Sequence, residues 1–136
     1  MTATPTTFRE AWIADLKAQP TVVAAVGGAE RIKENEYQSS DWVYPAIRVS
    51  LEFLPSKIYC GPDGANVEID CYSEKKSSKE SSDIASIIYA LYHGRPFEAG
   101  GIRFSTVVVQ TVEKPDRSIF AWLTKVKVFC QGTENV

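Results

Sequence analysis

The residues of this chain that could do covalent or acid–base chemistry are few and scattered. Glu68 and Asp70 stand two apart in Val67-Glu68-Ile69-Asp70-Cys71. In a strand that spacing puts both carboxylates on one face, where a pair can divide general-acid and general-base work. The same spacing also describes the wet face of a half-buried strand with Arg48, Arg103 or a lysine opposite. Opposite charges commonly pair across strands, and that is the preferred reading. The sole histidine, His93, falls in the last turn of an expected helix and reads as a C-terminal capping residue. A nucleophile–base site needs Ser or Cys beside His, and a zinc site needs about four closely spaced ligands. Cys60, Cys71 and Cys130 are isolated and meet neither pattern. Gly27-Gly28 and Gly100-Gly101 fit no phosphate-binding fingerprint. Residues 77–83, Ser-Ser-Lys-Glu-Ser-Ser-Asp, look like a phosphoacceptor cluster. They read instead as the start of a helix, with serine caps and acidic residues in the first turn.

The elements that must position these residues follow from periodicity. Residues 65–72 alternate apolar and polar, which predicts a strand with one dry and one wet face. A helix follows over 78–93, with Ile84, Ile87, Ile88 and Leu91 as its apolar stripe and Gly94 as its stop. Upstream, Thr7 and Glu10 have the spacing of a capping box for a helix starting at Phe8. Phe8, Trp12, Ile13 and Leu16 form its stripe, and Pro20 ends it. A short turn over 22–26 closes at Gly27-Gly28. Residues 31–37 form a short strand, and 46–53 alternate strictly, with Ile47, Val49, Leu51 and Phe53 on the dry side. Residues 54–64 make a protruding connection rich in Pro and Gly. Two strands, 102–112 and 118–131, close the chain around a charged hairpin tip at 113–117.

The order α-β-β-β-α-β-β predicts an α+β fold, one mostly antiparallel sheet with two main helices packed on one face. The other face would carry Arg48, Glu52, Glu68, Asp70, Arg103, Lys125 and Lys127. At 136 residues a single domain is expected. The 15 basic and 17 acidic residues disfavour sequence-driven nucleic-acid binding, which usually shows a basic excess. The polar N-terminus lacks the pattern of a signal peptide. No apolar run approaches the length of a membrane span. An odd number of unpaired cysteines suits reduced thiols in a cytosolic setting, and Cys71 and Cys130 read as small core residues. Trp42, Tyr44 and Tyr59 fall outside every periodic face, as either partner contacts or plugs at the ends of the core. A compact domain with a charged sheet face, long hairpins and at least one sheet edge suggests an assembly component.

In its layout the chain resembles the tail-terminator, or tail-completion, proteins of long-tailed bacteriophages. The likeness is carried by several segments: an N-terminal amphipathic helix running into Val22-Val23-Ala24-Ala25-Val26-Gly27-Gly28-Ala29-Glu30-Arg31-Ile32; the proline-led strand Tyr44-Pro45-Ala46-Ile47-Arg48-Val49; the strand Val67-Glu68-Ile69-Asp70-Cys71-Tyr72; the helix Ser82-Asp83-Ile84-Ala85-Ser86-Ile87-Ile88-Tyr89-Ala90-Leu91; and two closing strands. It spans nearly the whole chain, with no catalytic signature, and residues 54–64 fit it least.

The resemblance implies a small α+β protein forming a ring, usually a hexamer, on the finished tail tube in the virion. The ring would stop polymerisation of the tail tube protein, offer a surface to a head-completion or connector protein, and let DNA pass through its lumen without specific binding. No cofactor, metal or catalysis is implied. Trp42, Lys57, Tyr59, Asp63, Asp116 and Arg117 are the expected partner or subunit contacts, and the charged sheet face would line the lumen or an interface. Besides a generic adaptor that forms no ring, two other readings remain. One is a neck protein that binds the head connector. The other is a small cytosolic ligand-binding or enzyme domain built around Tyr92, His93 and Arg95. Replacing Lys57, Tyr59 and Asp63 together is expected to leave the fold intact, measured by circular dichroism, and to impair tail termination. Tails of normal length that still join heads would remove that assignment.

Overall fold

The computed structural model describes residues 5–34, 43–54, 64–75, 77–99, 102–116 and 121–132. Helices α1 (Pro5–Lys17) and α2 (Pro20–Val26) lead through a 3-10 turn (Ala29–Arg31) into β1 (Ile32–Glu34). Strands β2 (Ala46–Leu54) and β3 (Gly64–Ser73), helix α3 (Lys79–Tyr92), and strands β4 (Phe97–Ala99), β5 (Ile102–Asp116) and β6 (Ala121–Gly132) follow. They form a single sheet in the order β1-β2-β3-β6-β5-β4. Every pairing is antiparallel except β1 with β2. This is the expected α+β sheet with its helices on one face.

The dry face is built by the expected alternation. Ile47 and Val49 of β2, Val67, Ile69 and Cys71 of β3, and Val126, Val128 and Cys130 of β6 are all buried. Burial stabilises each such aliphatic side chain by about 1.5–3 kcal/mol. Helix α3 lies across β3, β6 and β5, α1 lies on β2 and β1, and α2 bridges α1 and α3. Phe8, Trp12 and Leu16 are the buried stripe of α1, with Ile13 at its margin. Trp12 sits at the centre of this layer, 4.9 Å from the Tyr92 ring, and Phe8 meets Phe104 edge-on at 4.9 Å. Burial pushes the Cys130 thiol up to about 12 against the smaller opposing effect of its hydrogen bond with Trp12, so it stays a neutral core residue.

Several expectations need correction. Helix α1 begins at Pro5, so Thr7 lies inside it and no Thr7–Glu10 capping box starts it; proline at the first helical positions costs no hydrogen bond. The stripe of α3 is rotated. Ser81, Ile84, Ala85, Ile88 and Tyr92 are buried, while Ile87 and Leu91 sit at the margin. Ser78 occupies the N-cap position of α3 without a side-chain capping bond. Strand β5 runs on to Asp116, so Glu113, Lys114 and Pro115 pair with Thr124, Leu123 and Trp122 and are not a hairpin tip. The strand β4, unforeseen in the sequence, pairs with residues 102–104. Glycine is required where two helices stop: Gly27 at φ 85 donates its N–H to Val23 O (2.9 Å), and Gly94 at φ 82 donates to Thr106 O (2.8 Å).

Truncating Trp12 to alanine removes the central side chain under α1 and leaves Tyr92 without its ring partner. The variant is expected to lose about 3–5 kcal/mol of unfolding free energy in urea titrations. A loss below 1 kcal/mol would mean that α1 is not part of the cooperative core.

Candidate functional site

The outer sheet face, opposite the helices, gathers the charged residues singled out above. Register sets their neighbours: Arg48 opposes Asp70, which opposes Lys125, and Ser50 opposes Glu68, which opposes Lys127. Lys125 Nζ donates to Glu68 Oε2 at 3.0 Å and lies 3.8 Å from Asp70 Oδ1; Lys127 Nζ stands 3.9 Å from Glu68 Oε1. The two carboxylates thus share one ammonium, the cross-strand arrangement preferred for them above. Burial pulls the Lys125 pKa down, but its hydrogen bond to Glu68 and the charges of Asp70 and Glu68 outweigh that and raise it overall.

The face is not uniformly wet, which corrects the expectation of a solvated strip. Arg48 is 2% exposed and Asp70 4%, and Ala46, Tyr72, Leu123 and Ala121, placed on the same face by register and alternation, are buried as well. Burial raises the Asp70 pKa to about 6, Lys125 opposes the rise, and Glu68 adds to it. Arg48 turns its Nη1 to the carbonyls of Arg31 (2.8 Å) and Ile47 (2.9 Å), tying the start of β1 to β2. The sequence held one signal of this second dry patch: Ala121 and Leu123 are apolar out of phase with Val126, Val128 and Cys130. Toward the other end of the strands the face opens into a shallow cavity of about 450 Å³, lined by Ser50, Glu52, Asn66, Glu68, Val109 and Lys127. The remaining member, Arg103, lies at the far end of β5 in register with Glu98.

Of the expected contact residues, Trp42, Lys57, Tyr59, Asp63 and Arg117 lie outside the described residues. Asp116 is the last residue of β5, opposite Ala121. Tyr44 is half-buried, and its carbonyl accepts from Arg31 Nη1 at 3.3 Å.

Of the three residues of the ligand-pocket reading, Tyr92 and Arg95 meet at Asp15 while His93 turns elsewhere. The Tyr92 hydroxyl donates to Asp15 Oδ2 at 2.6 Å, and Arg95 reaches the same carboxylate at 3.6 Å. Burial, then the contact with Asp15, raises the Tyr92 pKa far above its ordinary value, so the phenol stays protonated. His93 is exposed, stacks on Tyr89 at 5.0 Å and accepts the Val108 N–H at Nδ1 (3.2 Å). His93 is the C-cap residue of α3, as expected, with its backbone N–H on Tyr89 O at 3.0 Å, while its ring serves the strand. The β5–β6 register shifts between Val108 and Gln110, a bulge that disturbs regular pairing there. The Thr106 hydroxyl completes the clamp on the end of α3, bonding Tyr92 O (2.6 Å) and Arg95 O (2.5 Å). A second polar group lies at the start of α3. The Ser81 and Thr124 hydroxyls meet at 2.9 Å, and Ser82 donates to Glu113, which lowers the Glu113 pKa. These serines join α3 to the sheet. Among the described residues no three His, Cys, Asp or Glu side chains come together as a metal site.

No protein-family model matches the chain, and no curated protein matches it. Its fold is similar to that of a chain in the solved structure "Virion of native gene transfer agent (GTA) particle". The two superpose with a TM-score of 0.79 over 97% of this chain and 98% of that one, at 10% identity. The whole arrangement of sheet and helices is therefore shared.

The buried carboxyl of Asp70 gives the stability of the protein a pH signature. Its folded pKa, about 6, lies above the ordinary carboxyl value of 3.8, so the folded state holds the proton between those values while the unfolded chain releases it. Stability is then expected to fall as pH rises through that window, by up to about 1.4 kcal/mol per pH unit. Urea unfolding measured from pH 4 to 7 is expected to show this slope in the wild type and to lose it in Asp70→Asn. Equal slopes in both proteins would place the titration elsewhere.

Proposed function

We propose that this protein is a structural component of a virion that assembles as a ring on the end of a finished tail tube. There it stops addition of tube subunits and presents a surface to the head-completion or connector protein. The observation that carries this reading is the end-to-end likeness of fold to a chain taken from a virion. Three features of the molecule support it. The helix layer occupies one face of the sheet, and on the other the end that carries Ser50, Glu52, Asn66, Glu68 and Lys127 is open for contacts. The outer face offers paired charges and a shallow polar cavity, which suit a protein partner better than a small substrate. Tyr92 and Arg95 are engaged with Asp15, away from His93, so these three do not form one acid–base group.

In this reading the protein is not an enzyme and takes no cofactor. Residues 55–63, which lie outside the described residues, would in this reading supply contacts to the tube or the adjacent subunit. The alternating charges of the outer face would let DNA pass without adherence, because binding grows with the number of phosphates neutralised. A neck protein acting on the head connector would use the same architecture and is the second reading.

Electron microscopy of the purified protein, alone and mixed with tail tubes, tests the proposal. Rings, or tubes closed at one end by added density, are expected. Tubes that stay bare and continue to lengthen in its presence would overturn the reading.

A further inference from the structure

The segment between α3 and β4 continues the pairing along β5 after β4 has ended. Phe97 pairs with Phe104, and one step on the Gly94 N–H donates to Thr106 O at 2.8 Å. Backbone groups two residues apart on a strand point to the same side, so the next group to satisfy there is the Val108 N–H. By that point the main chain has turned into α3. The imidazole of His93 stands where the carbonyl of a neighbouring strand would, and its Nδ1 accepts the Val108 N–H at 3.2 Å.

The place is irregular. The β5–β6 register passes from Val108 opposite Val128 to Gln110 opposite Lys127, and Val109 is left without a partner. Bulges leave one residue unpaired and disrupt the ladder around it. Val107 and Val109, on either side of the held residue, are 44% and 60% exposed. We infer that His93 is a proton-operated latch on this bulge: its unprotonated Nδ1 holds Val108 against the end of α3, and protonation of the ring releases it.

The chemistry of the ring sets the direction of the switch. Nδ1 accepts through its lone pair, so the neutral ring carries its proton on Nε2. In the imidazolium both nitrogens are donors, and an Nδ1–H would face the Val108 N–H, donor against donor. Histidine is the side chain whose charge ordinarily changes between about pH 5 and 8. His93 is exposed, so water has access to it. Release does not cost the ring its other anchor. It stacks on Tyr89 at 5.0 Å with the planes 9° apart, and a cation over a tyrosine face is attracted to it.

The surroundings leave the proton to this one bond. Among the described residues Tyr89 is the titratable group that α3 stacks on the ring, and β5 has no ionisable side chain from Thr106 to Gln110. Arg95, in the turn that follows, lies over the Tyr92 ring and reaches Asp15 of α1 at 3.6 Å. Lys127 of β6, level with Gln110, is 3.9 Å from Glu68 on the outer face. The rest of the clamp does not titrate in this range: Thr106 Oγ1 donates to Tyr92 O and Arg95 O, and Gly94 holds Thr106 O. Release is therefore confined to the bulge, and the end of α3 stays docked.

Nuclear magnetic resonance of the isotope-labelled full chain tests the latch. At pH 8 a coupling across the hydrogen bond, between the Val108 amide nitrogen and His93 Nδ1, is expected, with the ring proton on Nε2. At pH 5 that coupling is expected to vanish, and exchange of the Val108 amide, relative to its intrinsic rate, is expected to quicken by about threefold or more while the Gly94 amide keeps its protection. His93→Asn carries Oδ1 on Cγ where histidine carries Nδ1, and it is expected to protect Val108 at both pH values. His93→Phe keeps the stack without the acceptor and is expected to leave Val108 unprotected at both. Asp70 titrates in the same range but is intact in both variants, so its contribution cancels in the comparison. A ring proton on Nδ1 at pH 8, a wild-type Val108 amide indifferent to pH, or a low-pH loss of protection that His93→Asn reproduces would overturn the latch. Each of these outcomes leaves the virion reading standing, because the latch does not rest on it.

Discussion

Everything in this fold depends on β3 and β6 keeping two different environments on their two sides. On the helix side the paired residues are Val67 with Val128 and Ile69 with Val126; on the other they are Glu68 with Lys127 and Asp70 with Lys125. A one-residue slip would put the charges under the helices and the aliphatics in water, so the register is fixed by the hydrophobic effect. The helices then have one surface on which to settle. Trp12 of α1 and Tyr92 of α3 meet over it, and the hydroxyls of Ser81 and Thr124 pair where α3 crosses β6.

The cost of the arrangement falls on the outer face, where Lys125 serves two carboxylates and one of them, Asp70, is nearly inaccessible to water. A charge held in that position is weak evidence of stability, because desolvation offsets much of the attraction. It does favour one alignment of the strands over others. The bulge at Val108 extends the same logic. It reverses the facing of β5 beyond it, so that Glu113 turns to α3 and Lys114 to the outer face, and His93 satisfies the backbone group at the irregularity.

Much of this was legible in the residues. The alternation in β2 and β3 and the apolar stripe of α1 gave the sheet, its helix-covered face and the pairing of Glu68 and Asp70 with lysine. The buried stripe of α3 shares Ile84 and Ile88 with the expected one but turns from Ile87 and Leu91 toward Ala85, Ser81 and Tyr92; the hydroxyls of the last two find tertiary partners in Thr124 and Asp15. The long β5 was cut short because Glu113, Lys114, Pro115 and Asp116 look like a turn, and a bulge leaves little trace in a period-two pattern. Strict alternation in β2 implies a wet face, and burial of Arg48 and Asp70 departs from it. Only the out-of-phase Ala121 and Leu123 on β6 hinted otherwise.

In the proposed role the charged pairs and the shallow cavity of the outer face would carry the contacts with neighbouring virion proteins. The central claim is that this chain sets where the tail stops. The most direct measurement is the distribution of tail lengths in particles assembled with and without it. The account predicts one sharp length joined to heads when the chain is present, and headless tubes of unregulated length when it is absent. Tails of the same sharp length, joined to heads in its absence, would contradict it.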